Sequence, residues 1–132
     1  MDLLEELLAE RDIRKALVQY VQFTDDLNAE GWVNMFTPDG AVICGAKRIQ
    51  GHAELREWVT KMHSGQKMRH MMANINITLE SPAAASVTVD MSLLRADGSK
   101  WVLAALPRYT DKMVHTDAGW KFKERILDPR AL

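Results

Sequence analysis

Apolar residues return every three or four positions from Leu4 through Leu7, Leu8, Ile13 and Leu17 to Tyr20, the spacing of one helix face. Asp2 and Glu5 have the Asp-x-x-Glu spacing of a capping pair, so the pattern predicts a helix from Leu3 to about Phe23. Thr24, Asp25, Asp26, Leu27 and Asn28 break it, because Thr, Asp and Asn prefer caps and turns. A short second helix then carries Trp32, Val33, Met35 and Phe36 inward, and Thr37-Pro38-Asp39-Gly40 reads as a turn. Two short strands follow, at residues 41–44 and 47–49. Gly51 opens a third helix in which Leu55, Trp58, Val59 and Met62 share a face, and Ser64-Gly65 ends it.

From Met68 the period changes to two. Ala73, Ile75, Ile77 and Leu79 alternate with Met72, Asn74, Asn76 and Thr78. After a turn at Ser81-Pro82, Val87, Val89, Met91 and Leu93 alternate with Ser86, Thr88, Asp90 and Ser92. Asp97-Gly98 marks a tight hairpin. Residues 101–114 read as a third long strand, with Pro107 marking a bulge or bend. Thr116-Asp117-Ala118-Gly119 turns into a last strand that starts at Trp120 and ends near Asp128-Pro129. Helices followed by an antiparallel sheet predict an α+β fold: three N-terminal helices on a curved, mostly antiparallel sheet, with a pocket between the layers.

The 132 residues fit one domain with a single core. A composition 47% hydrophobic and 27% charged is that of an ordinary globular chain. A net charge of −1 gives no field for nucleic acid or an anionic membrane surface, so neither is an expected partner. No apolar run is long enough to span a bilayer, and Glu5, Glu6 and Glu10 interrupt the leading leucines, which argues against a signal peptide. Cys44, the only cysteine, excludes an intramolecular disulfide framework and fits a reducing compartment; the expected location is the cytoplasm. One alternating strand set is left for the outer sheet face, which predicts a homodimer.

Candidate chemistry centres on three residues. Tyr20 extends the core-facing stripe, and its hydroxyl needs a polar partner if buried. Asp25, just past the helix, and His70, opening a strand, are the candidates for that role. An imidazole held by a carboxylate can take and return a proton near neutral pH, and a tyrosine can hold a developing oxyanion. The expected catalytic set is therefore Tyr20, Asp25 and His70, with Trp32, Phe36, Met72 and Asn74 shaping the pocket. Each has a plainer reading: Tyr20 as a core tyrosine, Asp25 or Asp26 as a cap, His70 as a structural histidine, the other four as packing. Arg108, Tyr109 and Asp111 read as a strand-surface pair or subunit interface. His52, His63 and His115 stand at element edges and read as exposed. No two histidines have metal-ligand spacing with a carboxylate, and no Gly-rich phosphate loop is present, so neither a metal nor a nucleotide cofactor is expected.

Several of these stretches resemble a known family in order and spacing. They are Tyr20 with Asp25, Gly31-Trp32, Met35-Phe36-Thr37-Pro38-Asp39-Gly40 and Gly51-His52-Ala53-Glu54-Leu55. Arg69-His70 with Asn74, Arg108-Tyr109 with Asp111, and Gly119-Trp120-Lys121-Phe122 complete the set. Together they resemble the SnoaL-like proteins of the nuclear-transport-factor-2-like superfamily over nearly the whole chain. The resemblance implies a cone-shaped roll. The pattern is most similar to that of scytalone dehydratase and the bile-acid dehydratases, whose pocket is lined by a tyrosine and an aspartate near the end of the first helix and a histidine opening the long strand. It implies those positions for Tyr20, Asp25 and His70. Such dehydratases add a polar residue from a later strand, where this chain offers Ala104, Ala105, Leu106 or Leu93, with Asp90 on the opposite parity. The Asp-Arg-Asp arrangement of an epoxide hydrolase of this fold is not assembled from the sequence. The implied activity is a cofactor-independent dehydratase (lyase) or isomerase/cyclase acting on a small hydrophobic cyclic or aromatic hydroxy or keto compound. A different class, a non-catalytic ligand-binding or accessory subunit of the same fold, needs no acid–base pair.

Overall fold

The computed structural model describes residues 1–62, 65 and 67–128. His63, Ser64 and Pro129, on which parts of the helix-end and last-strand readings rest, lie outside the described residues. The elements are α1 (Leu3–Asp25), α2 (Ala29–Val33), β1 (Phe36–Cys44), β2 (Lys47–Gln50), α3 (His52–Met62), β3 (Met68–Ser81), β4 (Ala84–Asp97), β5 (Lys100–Ala105), β6 (Arg108–Thr116) and β7 (Gly119–Asp128). Three helices pack on a curved sheet of strand order β2-β1-β7-β6-β4-β3, with β5 added to β4. Every pairing is antiparallel except β1 with β7, which is parallel. The α+β reading holds.

The Asp2–Glu5 capping box forms, each side chain accepting from the other residue's backbone N–H at 2.8 and 2.9 Å. Helix α1 runs to Asp25, past the expected end, because the Thr24 hydroxyl donates back to the Tyr20 carbonyl at 2.9 Å instead of breaking the helix. The reversal falls at Leu27, at φ 58°. The core-facing stripe starts at Ile13 rather than at Leu4. Leu3, Leu4, Leu7 and Leu8 are exposed, since that end of α1 is not covered by the sheet. In α3, Leu55 and Val59 are buried as expected, but Met62 is exposed.

Three local departures shape the interior. Residues 37–40 are not a turn between elements. They lie within β1, as a register shift between Phe36 and Ala41, where Gly40 lets the chain pass close to Phe36 and the Phe122 carbonyl. The stretch 101–114 is two strands, because Pro107 has no N–H for a ladder. It offers its carbonyl to Met91 N–H instead, at 2.9 Å. In β3, Asn74 adopts φ 53° at a bulge between Ala73 and Asn76, and one inserted residue reverses the parity of everything after it. Met68, His70 and Met72 therefore point inward before the bulge, and Ile75, Ile77 and Leu79 after it. Ala73 does not share their face but is exposed.

Candidate active site

Local strand geometry aims His70 at the core, and the end of α1 brings a carboxylate to it. His70 Nδ1 lies 2.6 Å from Asp25 Oδ1, and the His70 backbone N–H donates to Asp25 Oδ2 at 3.1 Å. Both side chains are nearly covered, at 5% and 12% exposure. An ionised carboxylate only accepts hydrogen bonds, so Nδ1 carries a proton and Nε2 is the nitrogen left for chemistry. Asp25 occupies the last turn of α1, at the negative end of the helix macrodipole, and no basic residue shares that turn. An acid there works against the helix that carries it. Its two bonds to His70, across 45 residues of chain, are what hold it.

The remaining expected residues divide. Trp32 and Phe36 are fully buried in the core, and Met72, two residues from His70 on the same face, is half-buried. Asn74 is a correction: the bulge turns it outward, and its side-chain amide donates to Asp90, which in turn pairs with Arg108 at 2.7 Å. Asp90 faces away from the interior, as its parity indicates. Tyr20 is buried, but its polar neighbours are not Asp25 and His70. They are Arg125, Trp32 and Asp111. Burial raises the Tyr20 pKa; Arg125 and the Trp32 indole N–H oppose the rise. His52 is half-buried, not exposed, with Nε2 3.0 Å from the Phe36 carbonyl oxygen. His115 is exposed against the Trp120 ring.

A second polar cluster fills the interior beside Tyr20. Tyr109 and Asp111 are buried, which corrects their reading as surface residues, and Arg125 is wholly enclosed. Arg125 Nε lies 2.9 Å from Asp111 Oδ1. The guanidinium carbon lies 4.2 Å from the Tyr20 ring centre, 4.3 Å from that of Tyr109 and 4.6 Å from that of Phe122. Register explains the meeting: Asp111 pairs with Arg125 across β6 and β7. Tyr109, Asp111 and Met113 share an inward parity along β6, so the signal for Asp111 is present in the sequence. The clefts found at the surface are lined by residues such as Lys47, Arg48, Trp58 and Lys61, or Arg11, Arg14 and Val18. Tyr20, Asp25 and His70 line none of these. Among the described residues, no three His, Cys, Asp or Glu side chains are grouped to hold a metal ion.

Burial pushes the Asp111 carboxyl up to about 6, against the opposing pull of Arg125. In the unfolded chain the same group releases its proton near 3.8. Between those two values the folded state holds the extra proton. The contribution of Asp111 thus favours folding at low pH and is lost as pH rises through about 6. Urea-denaturation midpoints compared with those of Asp111→Asn should show the wild type losing ground across that window. A difference that does not change with pH would contradict it.

The profile of the SnoaL-like domain family matches residues 5–126. No curated protein matches the chain. Among solved structures, a Mycobacterium tuberculosis protein of unknown function superposes with a TM-score of 0.91 at 22% identity, over 100% of this chain and 78% of the other. A nuclear-transport-factor-2-like protein with a cystatin-like fold from Novosphingobium aromaticivorans gives a TM-score of 0.85 at 18% identity, covering 94% and 83%. A candidate scytalone dehydratase from the same organism gives 0.86 at 20% identity, covering 96% and 87%. At these identities the likeness is one of fold. No described helix is long and apolar enough to cross a membrane.

Proposed function

The chain belongs to the SnoaL-like domain family, and from that premise we propose a cofactor-independent dehydratase or isomerase acting on a small, hydrophobic, cyclic or aromatic hydroxy or keto compound. The observation that carries the proposal is the buried Asp25–His70 pair, joined at 2.6 Å. In this reading Nε2 of His70 removes a proton from carbon, and the freed electron pair forms the new double bond as the C–O bond breaks. The departing hydroxyl takes the proton back from the imidazolium and leaves as water. Asp25 fixes the ring and balances its transient charge. Tyr20 donates to the oxygen on which charge develops, and its raised pKa keeps the hydroxyl protonated for that task. Trp32, Phe36 and Met72 keep water out. The dehydratase name of one structural neighbour agrees in class. The test is a screen of cyclic hydroxy-ketones and hydroxylated dihydroarenes, followed by the absorbance of the new conjugated double bond. Turnover without added metal or nucleotide is expected. Binding with no turnover of any compound would favour a binding protein instead.

The same reading includes a homodimer in the cytoplasm. The lone thiol Cys44 fits a reducing compartment. Met71, Trp101, Leu103 and Ile126 are exposed large apolar residues on strands, and their inward neighbours fix them on the outer sheet face. Sedimentation at micromolar concentration should show a dimer that Leu103→Glu weakens. A wild-type monomer would contradict this.

A further inference from the structure

Helix α1 has a second face, opposite buried Ile13, Ala16, Leu17 and Tyr20, that the fold leaves open. Leu4, Leu7, Leu8, Arg11, Lys15 and Val18 recur along it at helical spacing. With Leu3 beside them, its leucines are between 41% and 70% exposed. A single leucine on a surface is ordinary, but four within two turns of one helix make a contiguous apolar patch. The following turns carry a shallow groove lined by Arg11, Arg14, Lys15, Val18 and Gln19. Its walls are mostly apolar, formed by Val18 and the stems of the long side chains, and its rim is cationic. Charge divides the helix at the same point. Residues 1–10 hold Asp2, Glu5, Glu6 and Glu10 and no base, whereas Arg11, Arg14 and Lys15 follow against Asp12 alone. Arg11 pairs with Asp12 at 3.0 Å, but both are exposed, so that pair is weak.

A leucine patch flanked by acids calls for a seat that is apolar inside and cationic at its edge. The groove on the same helix is such a seat, but a straight helix cannot fold back onto itself. A second copy lying antiparallel can use it. Its leucine turns cover the Arg11, Arg14, Lys15 and Val18 groove, and its acids meet the cations. A two-fold axis makes the exchange reciprocal, so both patches are covered at once. Parallel pairing would set acid against acid and leave both grooves empty, and an anionic membrane surface would repel the four acids. We propose that this face of α1 is an isologous contact with a second copy of the chain, α1 lying antiparallel on α1. The contact is separate from the outer sheet face, because α1 packs against the inner one. A chain using both surfaces joins dimers into a larger assembly. One helix face is smaller than a standard interface, so the association belongs in the micromolar range or weaker.

The experiment is sedimentation of the full chain carrying Leu103→Glu, which weakens the sheet-face contact, from micromolar to hundreds of micromolar. Reversible, concentration-dependent association is expected to remain. Adding Leu4→Glu and Leu8→Glu should weaken it about a hundredfold, roughly tenfold for each leucine withdrawn from the contact. Circular dichroism should not change, since the buried stripe of α1 begins at Ile13. The charge pattern gives a second arm. A chain with Arg11→Glu and Arg14→Glu, and another with Glu6→Lys and Glu10→Lys, should each fail to associate alone. Mixed together they should associate, because each then supplies the charges that the other lacks. Absence of concentration-dependent association in the Leu103→Glu chain overturns the proposal. So does a leucine variant that associates like its parent, or a mixture that associates no better than its parts. Binding to phosphatidylcholine vesicles without self-association would assign the leucines to lipid and overturn it equally.

Discussion

His70→Ala is expected to lose turnover by about 10²–10⁴-fold while remaining folded, the usual effect of removing a proton-transfer group. The expectation follows from what the imidazole does and from how it is held. With Asp25 accepting from Nδ1 at 2.6 Å, the ring's one basic nitrogen is Nε2. Asp25→Asn should be nearly as damaging for a different reason. An amide can donate to Nδ1, which would move the ring proton to Nε2 and leave the base occupied. Tyr20→Phe should lose less, because Trp32 and Arg125 donors remain beside it. Circular dichroism alongside the rates separates chemistry from folding. If Asp25→Asn unfolds while His70→Ala still binds ligand, the bond from Asp25 to the His70 backbone N–H is structural and the binding-protein reading gains.

Arg125→Met alone, or Asp111→Leu alone, should destabilise the fold by about 3–5 kcal/mol, because each leaves an uncompensated charge in the core. Both residues are wholly enclosed. Against a typical stability of about 5–15 kcal/mol, that is a large share. The double replacement should cost much less than the two single costs added together, since removing both charges also removes their desolvation. Urea denaturation of the four proteins measures this. A single variant within about 1 kcal/mol of wild type would show that the pair is solvated rather than buried dry.

The layout of helices and strands was legible because the apolar period changes once, near Met68, and because Asp97-Gly98 and the 116–119 stretch mark their turns plainly. What escaped was set by single residues or distant pairings. The Asn74 bulge inserts one residue, and nothing in a period-two pattern announces which residue is extra, so Ala73 and Asn74 were assigned to the wrong faces. Helical spacing continues through Leu4, Leu7 and Leu8 but does not say where the sheet stops covering the helix. The inward parity of Asp111 was readable from Tyr109 and Met113. A buried carboxylate is implausible without a cation, however, and Arg125 reaches it only through strand register. Asp25 and His70, 45 residues apart, were expected to meet at the Tyr20 hydroxyl; they meet each other, while Tyr20 turns to Arg125, Trp32 and Asp111, which only strand register brings there.

The central claim, that His70 moves a proton between a carbon and its ring, is tested most directly by deuterium incorporation. A cyclic hydroxy-ketone identified as a ligand is incubated in D2O with wild type and with His70→Ala, and NMR follows exchange at the carbon next to the carbonyl. The account predicts exchange or elimination with wild type and only the uncatalysed background with His70→Ala. Equal rates in the two samples would contradict it.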